Sequence, residues 1–186
     1  TADRQIILGS DEIPLVQFGG LNLGEFRYIA KIEKPSVFSW VMNNYWVTNF
    51  RASQEGEFKW SYFLTSTQDT SNAHATRVGW SSRIPLMCRV FPPGKSSNIA
   101  PERSLLEVDA DNILIVSTKP AEDRNGIILH LREIEGKPAE FQVLSTLDPG
   151  KNAIITEVNA LGETIGPPVD KIRMNAWESR FFLFEF

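Results

Sequence analysis

Apolar residues recur at every second position along much of this chain, and the 3.6-residue period of a long helix is nearly absent, so the chain is committed to strands. In "EFKWSYFLTS" Phe58, Trp60, Tyr62 and Leu64 alternate with Glu57, Lys59 and Ser61, which predicts a half-buried strand with its aromatic face inward. "FRYIAKI" gives a similar signal through Phe26, Tyr28 and Ala30. "NILIVSTK" is a short continuous apolar run, as in a strand covered on both faces. Alternation returns in "IILHLREI" and "EFQVLSTL". It closes the chain in "RFFLFEF", where Phe182, Phe184 and Phe186 are expected to point together into a core.

Turn chemistry separates these runs. Asn125-Gly126 in "DRNGI" supplies positive φ for a tight reversal between "NILIVSTK" and "IILHLREI", predicting a hairpin. "IEGKP" and "LDPGKN" punctuate the next strands. The one helical interruption is "DTSNAHATRVGW", with Ser71 or Asn72 as cap and Gly79 near the end. Strands spaced by such turns describe an all-β fold of antiparallel β-sandwiches. "VFPPGKSSNIAPERS" is rich in Pro, Gly and Ser and poor in pattern, so it divides the chain into residues 1–98 and 99–186.

Several functions are disfavoured by composition. A formal charge of −4, with basic residues interleaved among acids, gives no phosphate-binding surface, so nucleic acid is not an expected partner. Cys88 is the single cysteine, which leaves neither an intrachain disulfide nor a thiolate metal site. No apolar run approaches the roughly 20 residues needed to span a bilayer, so the expectation is a soluble chain without membrane partners. "RQIILGSDEIPLVQFGG" begins without an obvious lead, as the tail of something longer would.

The inventory for catalysis is thin. His74 and His130 stand far apart, outside any HxH or HExxH spacing that would aim two ligands at one ion. His74 falls in the short helix as a surface or packing residue, and His130 on the less buried face of a strand. Asp11-Glu12, Glu55 with Glu57, Asp109 with Asp111, and Glu122-Asp123 could act as paired carboxylates by type alone. Most of them sit beside turn residues, where solvation accounts for them. No serine lies in a GxSxG elbow, and Gly19, Gly20 and Gly24 do not make a phosphate loop. That leaves "SWVMNNYWVTNFRASQEGEFKWSY". Trp40, Tyr45, Trp46 and Trp60 could stack on sugar rings while Asn43, Asn44, Asn49 and Gln54 reach hydroxyls. The same residues could instead fill a core and satisfy backbone groups where strands bend, which composition alone favours.

"NNYWVTNFRASQEGEFKWSYFLTS" resembles a segment in the C-terminal half of glycoside hydrolase family 38, the retaining α-mannosidases, particularly their bacterial and cytosolic-type members. An Asn-Asn-x-Trp-x-Thr-Asn-Phe pattern there precedes Gln-x-Gly and an aromatic strand. "TSNAHATRVGWSSRIPL" resembles the helix and exit that follow, and "VSTKPAEDRNGIILHLREIEGKPAEFQV" the terminal β-sandwich. The likeness runs from about residue 37 to the end, with three motifs in order.

The resemblance implies that residues 1–98 are the C-terminal part of a galactose-mutarotase-like supersandwich and residues 99–186 a terminal immunoglobulin-like β-sandwich. It also implies that hydrolysis of α-mannosides belongs to an N-terminal barrel holding zinc, so this chain carries no catalytic residue, metal ligand or cofactor of its own. Its implied partners are the N-terminal catalytic and helical domains of the same polypeptide and a mannoside or oligosaccharide substrate. Its implied compartment is the bacterial cytoplasm or periplasm. Asn43, Asn44, Trp46, Thr48, Asn49, Arg51 and Gln54 become candidate substrate-binding residues at the rim of the sugar site, or braces of an interdomain corner. Parted from its neighbours, the chain is expected to expose apolar surface and to be able to form a homo-oligomer. The alternative is a stand-alone carbohydrate-binding or interaction module.

Overall fold

The computed structural model describes residues 3–21, 25–26, 28–29, 32–42, 53–84, 86–90, 104, 106–122, 125–145 and 153–186. The first half holds β1 (Gln5–Gly9), β2 (Val16–Phe18), β3 (Val37–Ser39), β4 (Phe63–Thr67) and the helix α1 (Asn72–Arg83). The second holds β5 (Leu106–Val108), β6 (Ile113–Pro120), β7 (Gly126–Glu133), β8 (Ala139–Phe141), β9 (Val143–Ser145), β10 (Ile154–Val158), β11 (Thr164–Val169), β12 (Ile172–Met174) and β13 (Ser179–Glu185). Every described strand pair is antiparallel, and the fold is an all-β sandwich with one helix among the described residues.

The principal sheet has five strands in the order β11-β10-β13-β7-β6, and the pairs β8–β12 and β5–β9 lie across its inner face. Alternation decides what goes between. From β7 come Leu129 and Leu131, from β13 Phe182 and Phe184, and from β10 Ile155; they meet Phe141, Val143, Ile172 and Met174 of the second layer. Each such side chain contributes roughly 1.5–3 kcal/mol on leaving water, which makes this the energetic centre of the molecule. The opposite face is also closed in its middle. Ile128, Val158 and Leu183 are buried there, beneath a turn whose Gly162 (φ 89°) approaches Ile128 so closely that a Cβ would lie 3.1 Å from Cδ1.

The closing run behaves as its alternation predicts: Phe182 and Phe184 are buried and Phe186 packs partly against the same core. "IILHLREI" becomes the central strand β7, and "IEGKP" turns at Gly136 with φ 77°. The β6–β7 hairpin forms, but for a different reason at its glycine. Gly126 does not take the left-handed conformation; it is already the first residue of β7, where a Cβ would meet the Phe184 carbonyl oxygen at 2.7 Å. Close approach, not positive φ, requires the glycine there. β6 itself is covered only over its first half, because it is an edge strand of the sheet.

The first half departs further from the pattern. The strand expected from Glu57 begins only at Phe63, and Phe58, Tyr62 and Leu64 are all exposed. Among the described residues β4 pairs only with β1, and a two-stranded ribbon has too little surface around it to bury an aromatic face. "FRYIAKI" forms no strand at its described positions, where Phe26, Tyr28 and Ile29 are exposed. "LDPGKN" and the division at residues 98 and 99 lie outside the described residues.

Helix α1 starts where the composition places it. Ser71 is its N-cap, accepting the His74 amide at 3.1 Å, while Asp69 Oδ1 accepts the Ser71 amide at 2.9 Å. It runs past Gly79 to Arg83, and Ile84 then turns extended (φ −103°, ψ 99°), as a residue before proline is driven to do.

Candidate functional site

Of the seven candidate sugar-site residues, Asn43, Asn44, Trp46, Thr48, Asn49 and Arg51 lie outside the described residues, as does Tyr45. Gln54 is exposed on an irregular segment. Further along the chain Trp60 stacks on Phe58 with centroids 5.7 Å apart and planes at 19°, and Tyr62 Oη shares a hydrogen bond of 2.8 Å with Ser39 Oγ. Trp40 is exposed.

Three of the candidate acids, Asp11, Glu12 and Asp109, have polar partners. Glu12 accepts hydrogen bonds from the Ser61 amide and Ser10 Oγ, which hold its carboxyl below the usual range. Asp11 faces Arg83 at 3.5 Å, and Asp109 accepts the Gln142 amide at 2.7 Å, joining the ends of β5 and β8. The histidines lie in separate elements. His74 Nδ1 is 3.6 Å from Asp69. His130 stacks on Phe181 on the outer face of the sheet and shares a 2.6 Å hydrogen bond with Ser179 Oγ. Burial, and then the charge of Arg132, push His130 below its ordinary value. The contact has the spacing of a nucleophile and its base, but no carboxylate orients Nδ1 among the described residues. Nor do those residues contain a group of three or more His, Cys, Asp and Glu placed to hold a metal ion, so they do not fit a zinc site.

The most elaborate polar arrangement was not anticipated from sequence. Glu133 follows Leu129 and Leu131 on the inner face of β7 and is completely shielded from solvent. Its Oε1 accepts Asn112 Nδ2 at 2.9 Å and the Glu135 amide at 2.8 Å; its Oε2 accepts the Gly136 and Trp177 amides, both at 2.8 Å. Burial alone would raise this carboxyl. The hydrogen bonds from Trp177, Glu135, Asn112 and Gly136 outweigh it and lower the pKa to about 2. The signal was an acid in phase with two leucines, which predicts an inward carboxylate but not the turns that satisfy it.

Beside this knot a cleft of about 490 Å³ opens between α1 and the sandwich, lined among others by Asp69, His74, Arg77, Asn112, Glu135 and Lys137. Glu135 Oε2 accepts the Ala73 amide in the first turn of α1 at 2.8 Å, and Lys137 stands 3.6 Å from the same carboxylate. Arg77 donates to the Asp111 and Ile113 carbonyls at 2.7 and 3.3 Å. The lining can hydrogen-bond a polar molecule, but Arg77 and Glu135 already serve the contact between helix and sandwich, while Asp69 faces His74 and Lys137 faces Glu135. No helix among the described residues is long and apolar enough to cross a membrane. No protein-family model, no curated protein and no solved structure matches this chain.

Proposed function

We propose that the chain is the non-catalytic C-terminal portion of a retaining, zinc-dependent α-mannosidase, acting as scaffold and offering the Asn43 to Gln54 stretch as a rim of the sugar site. The observation that carries this reading is the order of three sequence runs, "NNYWVTNFRASQEGEFKWSYFLTS", "TSNAHATRVGWSSRIPL" and "VSTKPAEDRNGIILHLREIEGKPAEFQV". The two-layered sandwich that the last run enters suits a terminal scaffold domain. The exposed Phe26, Tyr28, Leu86 and Met87 are the kind of surface a neighbouring catalytic or helical domain covers. Zinc and the nucleophile belong, in this reading, to polypeptide outside the 186 residues.

The decisive experiment pairs the chain with mannosides in a calorimetric titration and with the enzyme's catalytic polypeptide in a reconstitution assay. Scaffold function predicts no heat from mannosides alone and turnover only in the presence of the catalytic part. Saturable mannoside binding by the chain alone would instead favour a stand-alone carbohydrate-binding module. In the complete enzyme, Asn44→Ala or Trp46→Ala separates a rim from a brace: lost turnover at an unchanged melting temperature marks a rim, and joint loss marks a brace.

A further inference from the structure

The described residues of α1 reach the sandwich through polar groups. Only Ala73 of the helix is buried, and no α1 residue belongs to the main hydrophobic core. Ala73 and Arg77 are one turn apart and therefore share a face. The Ala73 amide goes to Glu135, and the Arg77 guanidinium goes to the carbonyls of Asp111 and Ile113. These acceptors lie on two turns that are themselves fastened together. Asn112, between the two carbonyls, donates to Glu133 Oε1 at 2.9 Å and to the Lys137 carbonyl at 3.1 Å, and accepts the Ile134 amide on its own carbonyl at 2.9 Å. Glu133 also holds the Glu135 amide at 2.8 Å. The seat for α1 is thus rigid, and it is built by the sandwich without help from the helix.

We infer that α1 is a polar clasp: a separable unit that docks on the seat formed by the turns at Asp111–Ile113 and Glu135, and undocks while the sandwich stays folded. Little apolar area of the sandwich opposes the opening, because no α1 residue enters its main core and the helix meets the two turns through hydrogen bonds at the edge of a water-accessible cleft. Glu133 acts in this device as a positioning residue. It touches nothing on α1, but it sets the place of both anchors.

Hydrogen exchange on the full chain tests the clasp, read separately for α1 and for β7 with β13. Arg77→Ala removes one anchor and Glu135→Ala the other, neither within the main core. Each is expected to lower protection of α1 amides by roughly 10- to 100-fold, the usual effect of losing a charge-assisted hydrogen bond, while β7 and β13 stay at the unsubstituted level. The inference is overturned if α1 keeps its protection in both variants. It is equally overturned if β7 and β13 lose protection together with α1, since helix and sandwich would then open as one unit.

Discussion

The indole of Trp177 lies against Gly136, so close that a Cβ on the glycine would fall 2.6 Å from Cζ2. Both residues have left-handed backbones, with φ of 61° and 77°. The two turns come from different parts of the chain, yet their amides end on one oxygen of Glu133. The carboxylate supplies the acceptor that holds Trp177 in a conformation non-glycine residues rarely adopt.

Gly136→Ala should destabilise the protein by about 1–3 kcal/mol. Trp177 is 56% exposed and its ring can swing away, so the remaining cost is the positive φ. The measurement is a urea unfolding curve. A midpoint equal to that of the unsubstituted chain would show that the turn carries no such constraint.

Glu133→Gln turns one acceptor oxygen into a donor facing buried amides, and should cost about 3–5 kcal/mol. The pH dependence has a definite sign. With the folded value lowered from 4.5 to about 2, the carboxylate's contribution is complete above the unfolded value. It is lost as pH falls from about 4.5 towards about 2, to the extent of about 3 kcal/mol. His130 acts in the same direction, since its folded value is also lowered: below its ordinary 6.5 the unfolded chain takes up a proton that the fold resists. Unfolding free energies measured across this range should therefore fall with acidification, and the portion lost below pH 4.5 should shrink in Glu133→Gln. An unchanged acid limb in that variant would contradict the assignment.

Phe184→Ala should cost about 3–5 kcal/mol, because its ring fills the centre between the two layers and leaves a cavity there. Leu64→Ala, on the open side of the β1–β4 ribbon, should change stability by less than about 1 kcal/mol. Thermal melting of the two variants gives the comparison. Equal effects would mean that the ribbon is covered in solution, as it would be in a homo-oligomer.

Ser71→Ala removes the side chain that accepts the His74 amide and should weaken α1 by about 1 kcal/mol. Exchange of the His74 amide should accelerate accordingly. The Asp69 contact to the Ser71 amide does not replace the lost cap, because it satisfies a different donor. Unaltered exchange at His74 would show that the cap is not limiting.

How far the sequence reaches differs between the halves. Leu129, Leu131, Phe182 and Phe184 were legible as core because period-two alternation fixes which side chains share a face, and a five-stranded sheet offers a second layer to cover them. Phe58, Tyr62 and Leu64 show the same alternation and are exposed, because their neighbours in space are too few. Leu183 shows the converse: alternation assigns it to the outer face, and tertiary packing with Ile128, Val158, Ala121 and Phe181 buries it there. Of the proposed sugar-site stretch from Asn43 to Gln54, the structure describes only Ser53 and Gln54.

The sequence by itself determined the strand character of the second half, the hairpin between β6 and β7, a helix start at Ser71 or Asn72 and the inner faces of β7 and β13, since each depends on residues adjacent in the chain. Tertiary structure alone decided that Glu133 would be a buried charge and not a misplaced one. Its four donors come from Asn112, from its own turn, and from a residue more than forty positions away. Charge inside a protein is tolerated only where such donors converge, and convergence is a property of three dimensions.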